Sequence, residues 1–205
     1  MSDMITFDTG ESVKEIAKIK STAVKVETFD LVSEDHPILK QVLPVFDFTK
    51  PPVDPNKFAS TLVETCKKYN GYGLSANQCG FNHRVFVVGA GDDYVAFFNP
   101  EIVETKGEEH MAEMCLSFPM MPIFITRPKE VTIKYQDFTG ALHVENYVGL
   151  TARCILHELD HMNGIVYTSR AKPLALQSGL KKRNKMMKML RKIDDKTSKW
   201  PEIRR

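Results

Sequence analysis

The stretch His157-Glu158-Leu159-Asp160-His161-Met162-Asn163-Gly164 decides how this chain is read. Each residue of an α-helix turns by about 100°, so the two His, four apart, share one face about 40° from each other. Two imidazoles stacked this way can grip a single metal ion, and Glu158 beside the first is placed to act on water there. A solvated helix can carry the same pattern by chance. The surroundings argue otherwise. Val148 to Met162 is largely apolar around both His, and a buried helix does not hold two His and two acids without partners. Asn163-Gly164 supplies a C-terminal stop.

Catalytic centres of this kind use three protein ligands and one open position. Downstream of His161 there is no His, and no acid before Asp194. The protease pattern His-Glu-x-x-His-x-x-Gly-x-x-His is excluded, because Tyr167 holds its last position. The third ligand must lie upstream. Cys115, in Glu113-Met114-Cys115-Leu116-Ser117-Phe118-Pro119, is the candidate, in a non-periodic stretch rich in Met and Pro. Cys154 competes, but it lies seven residues before His161, about 10 Å along the axis. It reads better as a small buried side chain near the pocket. A third stretch, Gly71-Tyr72-Gly73-Leu74-Ser75-Ala76-Asn77-Gln78, combines two glycines that permit close backbone approach with an amide, Gln78, that can face a developing oxyanion. Taken alone, it reads as an ordinary turn after a helix.

Composition narrows the class. A chain of 205 residues with 42% hydrophobic content supports one large domain or a domain with extensions. The N-terminus has no basic start followed by an apolar run, which excludes a secretion signal, and its acids argue against a transit peptide. No apolar stretch approaches the ~20 residues of a membrane span. Four scattered cysteines do not make a disulfide scaffold and point to a reducing compartment. The net charge of +2 hides an asymmetry: Lys181 to Arg205 carries +8 and the other 180 residues carry −6. That tail is either a handle for an anionic partner such as RNA or a solvated helix.

Along the chain, residues 1–29 read as an extension, with a short helix possible through Val13 to Lys20. Asp54-Pro55 marks a helix start, and Phe58, Leu62, Cys66 and Tyr69 recur at helical spacing up to Asn70-Gly71. His83 to Val88 and Tyr94 to Phe98 read as strands, with Asn99 to Thr105 extending the sheet. Val131 to Phe138 and Ala141 to Tyr147 suggest a hairpin about Thr139-Gly140. Ile165 to Tyr167 reads as a short strand. Ser178 to Lys192 reads as a basic helix with Leu180, Met187 and Leu190 as its apolar stripe. The expected class is α+β: antiparallel strands packed around a central metal-binding helix, a catalytic body over 30–170, and a basic C-terminal helix or tail over 171–205.

The three segments in this order, GYGLSANQ (71–78), EMCLS (113–117) and LHELDHMNG (156–164), resemble peptide deformylase. That family shows Gly-x-Gly-Leu-Ala-Ala-x-Gln, Glu-Gly-Cys-Leu-Ser and Gln-His-Glu-x-Asp-His-x-x-Gly. The likeness spans about 30 to 167 and includes His36-Pro37-Ile38-Leu39 and Gly149 to Arg153. Ser75 stands where the family has Ala, Met114 where it has Gly, and Leu156 where it has Gln.

The resemblance implies hydrolysis of the N-formyl group from the initiator Met of new polypeptides. Cys115, His157 and His161 would hold one divalent ion, Fe²⁺ in the family's usual form, with Zn²⁺, Ni²⁺ or Co²⁺ as substitutes. Glu158 would move the proton, and Gln78 and the Leu116 N–H would stabilise the oxyanion. Tyr72, Gly73 and Met114 would pair with the extended substrate backbone, and Cys154 would line the Met pocket. The partners implied are formylmethionyl nascent peptides and, through Lys181 to Arg205, ribosomal RNA. No membrane partner is expected, and the location is the cytoplasm of a cell that initiates with formyl-Met. Two rivals stand beside this reading: another metallopeptidase or N-deacylase, and a non-catalytic module that docks on ribosomes.

Overall fold

The computed structural model describes residues 26–197. The helix expected through Val13 to Lys20 lies outside them. The first long element is α1, Pro55–Lys68. The Asp54 side chain accepts from the Lys57 amide at 3.0 Å, and Pro55 occupies the first turn, where a missing N–H leaves nothing unpaired. Phe58, Leu62 and Cys66 face inward at the expected spacing. The helix ends before Asn70, whose φ of 54° turns the chain away.

The described residues then form the strands β1 (Gly73–Ser75), β2 (Val85–Ala90), β3 (Asp93–Lys106), β4 (Glu109–Cys115), β5 (Phe118–Arg127), β6 (Glu130–Gln136) and β7 (Leu142–Val148). Five of them make one antiparallel sheet in the order β1-β2-β3-β6-β7, and β4-β5 forms a separate two-stranded hairpin. The strand expected over Tyr94 to Phe98 and the extension expected over Asn99 to Thr105 form one continuous strand, β3. Its first half pairs with β2 and its second with β6, across irregularities in register near Asn99 and Val103. The helix α2, Gly149–Met162, follows β7, and α3, Pro173–Thr197, completes the described chain.

The sheet is covered on both faces, and β2 shows why its sequence is apolar without alternation. Phe86 and Val88 join a core with Ile155, Leu156 and Leu159 of α2. Val85 and Val87 join a second core with Phe58 and Leu62 of α1. Each such side chain contributes on the order of 1.5–3 kcal/mol relative to exposure. A third cluster joins Met121, Ile123 and Ile125 of β5 to Tyr167, with Leu176 of α3 packed against it. The α+β class, the antiparallel pairing and the C-terminal helix agree with the sequence expectation.

Three local expectations are corrected. Ile165 to Tyr167 is not a strand. The Ile165 amide folds back onto the Asp160 carbonyl at 2.9 Å, and Tyr167–Arg170 forms a 3-10 turn held by the Tyr167 hydroxyl donating to the Met121 carbonyl. The stretch around Cys115 is not irregular but the end of the β4–β5 hairpin, whose outward Met114 and Phe124 mask its alternation. The basic helix begins at Pro173 rather than Ser178. It packs through Ala175, Leu176 and Gly179, while Leu180 and Leu190 are each 41% exposed. At Gly179 a Cβ would lie 2.9 Å from Ile123 Cγ1, so the glycine sets the approach of α3 to β5.

Candidate metal centre

His157 and His161 project from α2 and Cys115 from the end of β4. Their candidate ligand atoms all lie within 4.8 Å of one another, and all three residues are buried. Cys115 Sγ is 3.3 Å from His161 Nε2. A register irregularity between Glu113 and Cys115 turns the thiol toward the helix, a usual role of a bulge beside a site. Cys154 is outside this group; with Tyr72, Val88, Phe97 and Leu150 it lines an adjoining cavity of about 380 Å³.

The donor set fits a cation. Burial and the neighbouring His157 charge hold His161 well below the ordinary imidazole value, so its lone pair is free. Burial alone would lower His157, but hydrogen bonds to Cys115 and Glu113 prevail and raise it to about 10. A cation at the same point takes the place of that proton. His157 Nδ1 lies 3.1 Å from Glu113 Oε2, which fixes the ring and turns Nε2 inward.

Glu113 is itself the centre of a buried ionic network. Arg127 reaches both of its oxygens, at 2.6 and 3.0 Å, and Arg153 donates to Oε1 at 2.6 Å. Arg127 also donates to Asp160 Oδ2 at 2.8 Å, and Arg170 closes Asp160 from the outside. Burial would raise the Glu113 carboxyl; the bonds from His157 and Arg127 outweigh it and hold it at about 2. Arg127 and Arg153 went unread in the sequence. Arg153 carries a local signal, a charge inside the largely apolar stretch from Val148 to Met162, whereas Arg127, between Thr126 and Pro128-Lys129-Glu130, carries none.

Glu158 is different. Burial pushes its carboxyl up to about 7, against the lowering influence of His157, and Oε2 has no hydrogen-bond partner among the described residues. Such a carboxylate is poised to exchange a proton near neutrality. A Cβ on Gly73 would lie 2.6 Å from Glu158 Oε1, so glycine is what lets the β1 backbone pass the carboxylate. Gln78 points its amide nitrogen at Cys115 Sγ (3.4 Å) and Ser117 Oγ (3.1 Å). Leu116 occupies the turn between β4 and β5. Tyr72 and Met114 are exposed at 58% and 67%. Met114 adjoins Cys115 in the chain without lining the cavity, and the Tyr72 carbonyl already accepts from the Gly89 amide.

The profile of the polypeptide deformylase family matches residues 28–177. The peptide deformylase of Carboxydothermus hydrogenoformans is 38% identical over 146 residues, covering 70% of this chain and 93% of that protein. That of Thermotoga maritima is 39% identical over 139 residues, covering 67% and 83%. The crystal structure of a peptide deformylase from Synechococcus elongatus in complex with actinonin superposes with a TM-score of 0.71 at 29% identity, over 76% of this chain and 86% of that one. The Thermotoga maritima structure gives 0.66 at 34%, over 72% and 99%. A helical His pair, a hairpin thiol, a buried carboxylate and an aimed amide, within a fold and a sequence shared along most of the chain, place it in the polypeptide deformylase family.

Proposed function

We propose that this chain hydrolyses the N-formyl group from the initiator Met of new polypeptides, releasing formate. The observation that carries the reading is the convergence of Cys115, His157 and His161 within 4.8 Å beside an unpartnered Glu158 oxygen and the Gln78 amide. A divalent cation held by the three ligands supplies Lewis acidity and a lowered pKa for water. Glu158 takes the proton from the attacking water and hands it to the leaving amine. Gln78 Nε2 and the Leu116 N–H donate to the formyl oxygen as it gains charge. The N–C bond then breaks, giving formate and a free Met amine.

In this reading the substrate lies extended between β1, which is an edge strand, and β4, with Gly73 and Met114 supplying backbone partners. The Tyr72 ring and Cys154 bound the cavity that takes the Met side chain. Fe²⁺ is the ion we assign, with Zn²⁺, Ni²⁺ or Co²⁺ as working substitutes. In this reading residues 30–170 form the catalytic body, with helix α2 at its centre. The exposed Lys181, Lys182, Lys185, Lys188, Arg191 and Lys192 of α3 are assigned to ribosomal RNA in the cytoplasm. None of the described helices is long and apolar enough to cross a membrane.

The test is formate release from formyl-Met-Ala-Ser by anaerobically purified protein loaded with Fe²⁺, Ni²⁺, Co²⁺ or Zn²⁺, beside acetylated and unformylated peptides. Turnover of the formyl peptide alone is expected. Cleavage of the acetyl or unformylated peptide instead would overturn the assignment.

A further inference from the structure

The carbonyls at the end of a helix have no amide to accept from within it, and α2 ends on the two residues that matter here, His161 and Met162. The Met162 carbonyl accepts from the Leu43 amide at 2.9 Å and from Arg84 at 3.1 Å. The His161 carbonyl has a long contact, 3.3 Å, from the Gly164 amide. Its short one, 2.9 Å, comes from Asn77 Nδ2, a residue 84 positions away in the loop that carries Gln78.

Asn77 is fully buried, and so are Ser75 and, at 1% exposure, Gln78. Ser75 Oγ lies 2.8 Å from Asn77 Oδ1 and 3.0 Å from Gln78 Oε1. The Ser75 amide also donates to Gln78 Oε1, at 2.9 Å. The Ser75 hydroxyl thus sits against two amide oxygens and also within hydrogen-bonding reach of the Glu158 carboxyl, and each amide is left with its NH₂ facing the other way. Gln78 aims at Cys115 and Ser117; Asn77 aims at His161, with Ile38 O at 3.4 Å as a second acceptor. Flipping Asn77 would set its oxygen against two carbonyls, so the orientation is determined by the network.

We propose that Ser75 and Asn77 are positioning residues that couple the Gln78 amide to the His161 end of α2 through this buried chain of hydrogen bonds. The chain runs from the His161 carbonyl through Asn77, Ser75 and Gln78 to the Cys115 thiol, and so links two of the three metal ligands from behind. The hydroxyl that joins its halves stands where the family pattern has alanine. Only the kinetic half of the test rests on the reaction assigned above.

The test uses the full chain and its Asn77→Ala, Ser75→Ala and double variants, with Co²⁺ as the probe. Co²⁺ affinity is measured by chelator competition and site geometry by the visible spectrum. kcat and KM are measured on formyl-Met-Ala-Ser, and folding is checked by circular dichroism. Asn77→Ala is expected to lower Co²⁺ affinity and kcat about 10- to 100-fold, to shift the Co²⁺ spectrum and to leave KM within about twofold. Ser75→Ala is expected to do the same to a smaller degree, and the double variant to match Asn77→Ala alone, because both cut one chain. A folded Asn77→Ala protein with unchanged Co²⁺ affinity and kcat overturns the coupling. So do losses in the double variant that equal the product of the single losses. If Asn77→Ala fails to fold, Ser75→Ala decides: an unchanged Co²⁺ spectrum and affinity sink the proposal whatever kcat does, because Ser75 also faces Glu158. Wild-type protein that binds Co²⁺ but releases no formate, with the variants still shifting its spectrum, would remove the assigned reaction and leave the coupling standing.

Discussion

Helices α2 and α3 carry charge on very different terms. In α2 the residues from Ala152 to Met162 are buried except for the half-buried Cys154. Arg153, Glu158, Asp160 and both His are among the buried ones. In α3 only Gly179 is buried among the residues whose burial is described, and the Lys and Arg from Lys181 to Lys192 face solvent apart from Arg183, which pairs with Glu34. A charge taken out of water must be matched atom by atom. In α2 both Asp160 oxygens are so matched, whereas Arg153 Nε, Glu158 Oε2 and His161 Nδ1 have no partner among the described residues. Of these three, Glu158 is the one acid, and burial pushes its carboxyl up to about 7. The unpartnered acid marks the chemistry, and the ion-paired Arg153 and Asp160 mark the frame. The surface charges of α3 carry neither kind of information about the site.

The sharpest way to break this contrast is Glu158→Ala. Because Oε2 has no protein partner to strand, the variant should keep its fold and its metal while turnover falls about 10²- to 10⁴-fold, the usual share of a general acid–base. Substantial residual formate release would return Glu158 to the ranks of structural acids. Next comes Arg127→Met, which leaves Glu113 and Asp160 facing each other without their shared guanidinium. Breaking a buried pair costs about 3–5 kcal/mol, to be read by urea unfolding. Lys188→Met on α3 should stay within about 0.5 kcal/mol of wild type in the same assay.

Acid should separate the helices further. The folded-state pKa of Glu113 is depressed to about 2 from an ordinary 4.5. The stabilisation it brings is therefore present above about 4.5 and is lost as pH falls toward about 2. Unfolding monitored over that window should show a smaller dependence on pH in Glu113→Gln, and an identical slope in both proteins would remove Glu113 from the account. The smallest expected effect on catalysis comes from ending the chain before Lys181: kcat within about twofold, since no ligand or network residue is lost. Salt-sensitive ribosome affinity should fall in that truncation. Undiminished binding would leave α3 as a solvated helix.

The helical His pair was legible because its period is that of the helix itself, and α1 because Asp54-Pro55 is a local capping signal. The hairpin of β4 and β5 was hidden because Met114, Met120 and Phe124 sit exposed on it, blurring the alternation that marks a half-buried strand. The length of α3 was missed because its first turns are held by tertiary contacts with β5 rather than by an amphipathic pattern. Within the site, the three-segment likeness pointed to Cys115, Glu158 and Gln78. Nothing local could show that Arg127 and Arg153 meet at Glu113, or that Asn77 reaches His161, since these partners are joined only by folding.

The alternating commitment of β2 has a consequence for how the molecule comes apart. Phe86 and Val88 belong to the layer under α2, Val85 and Val87 to the layer under α1. Neither layer can melt without unseating the strand on which the other rests. The two layers should therefore open as one cooperative unit, and the amides of Val85 to Val88 should be among the slowest to exchange with deuterated solvent, at the rate of global unfolding. The metal helix is thereby anchored to a strand that has no partial way out.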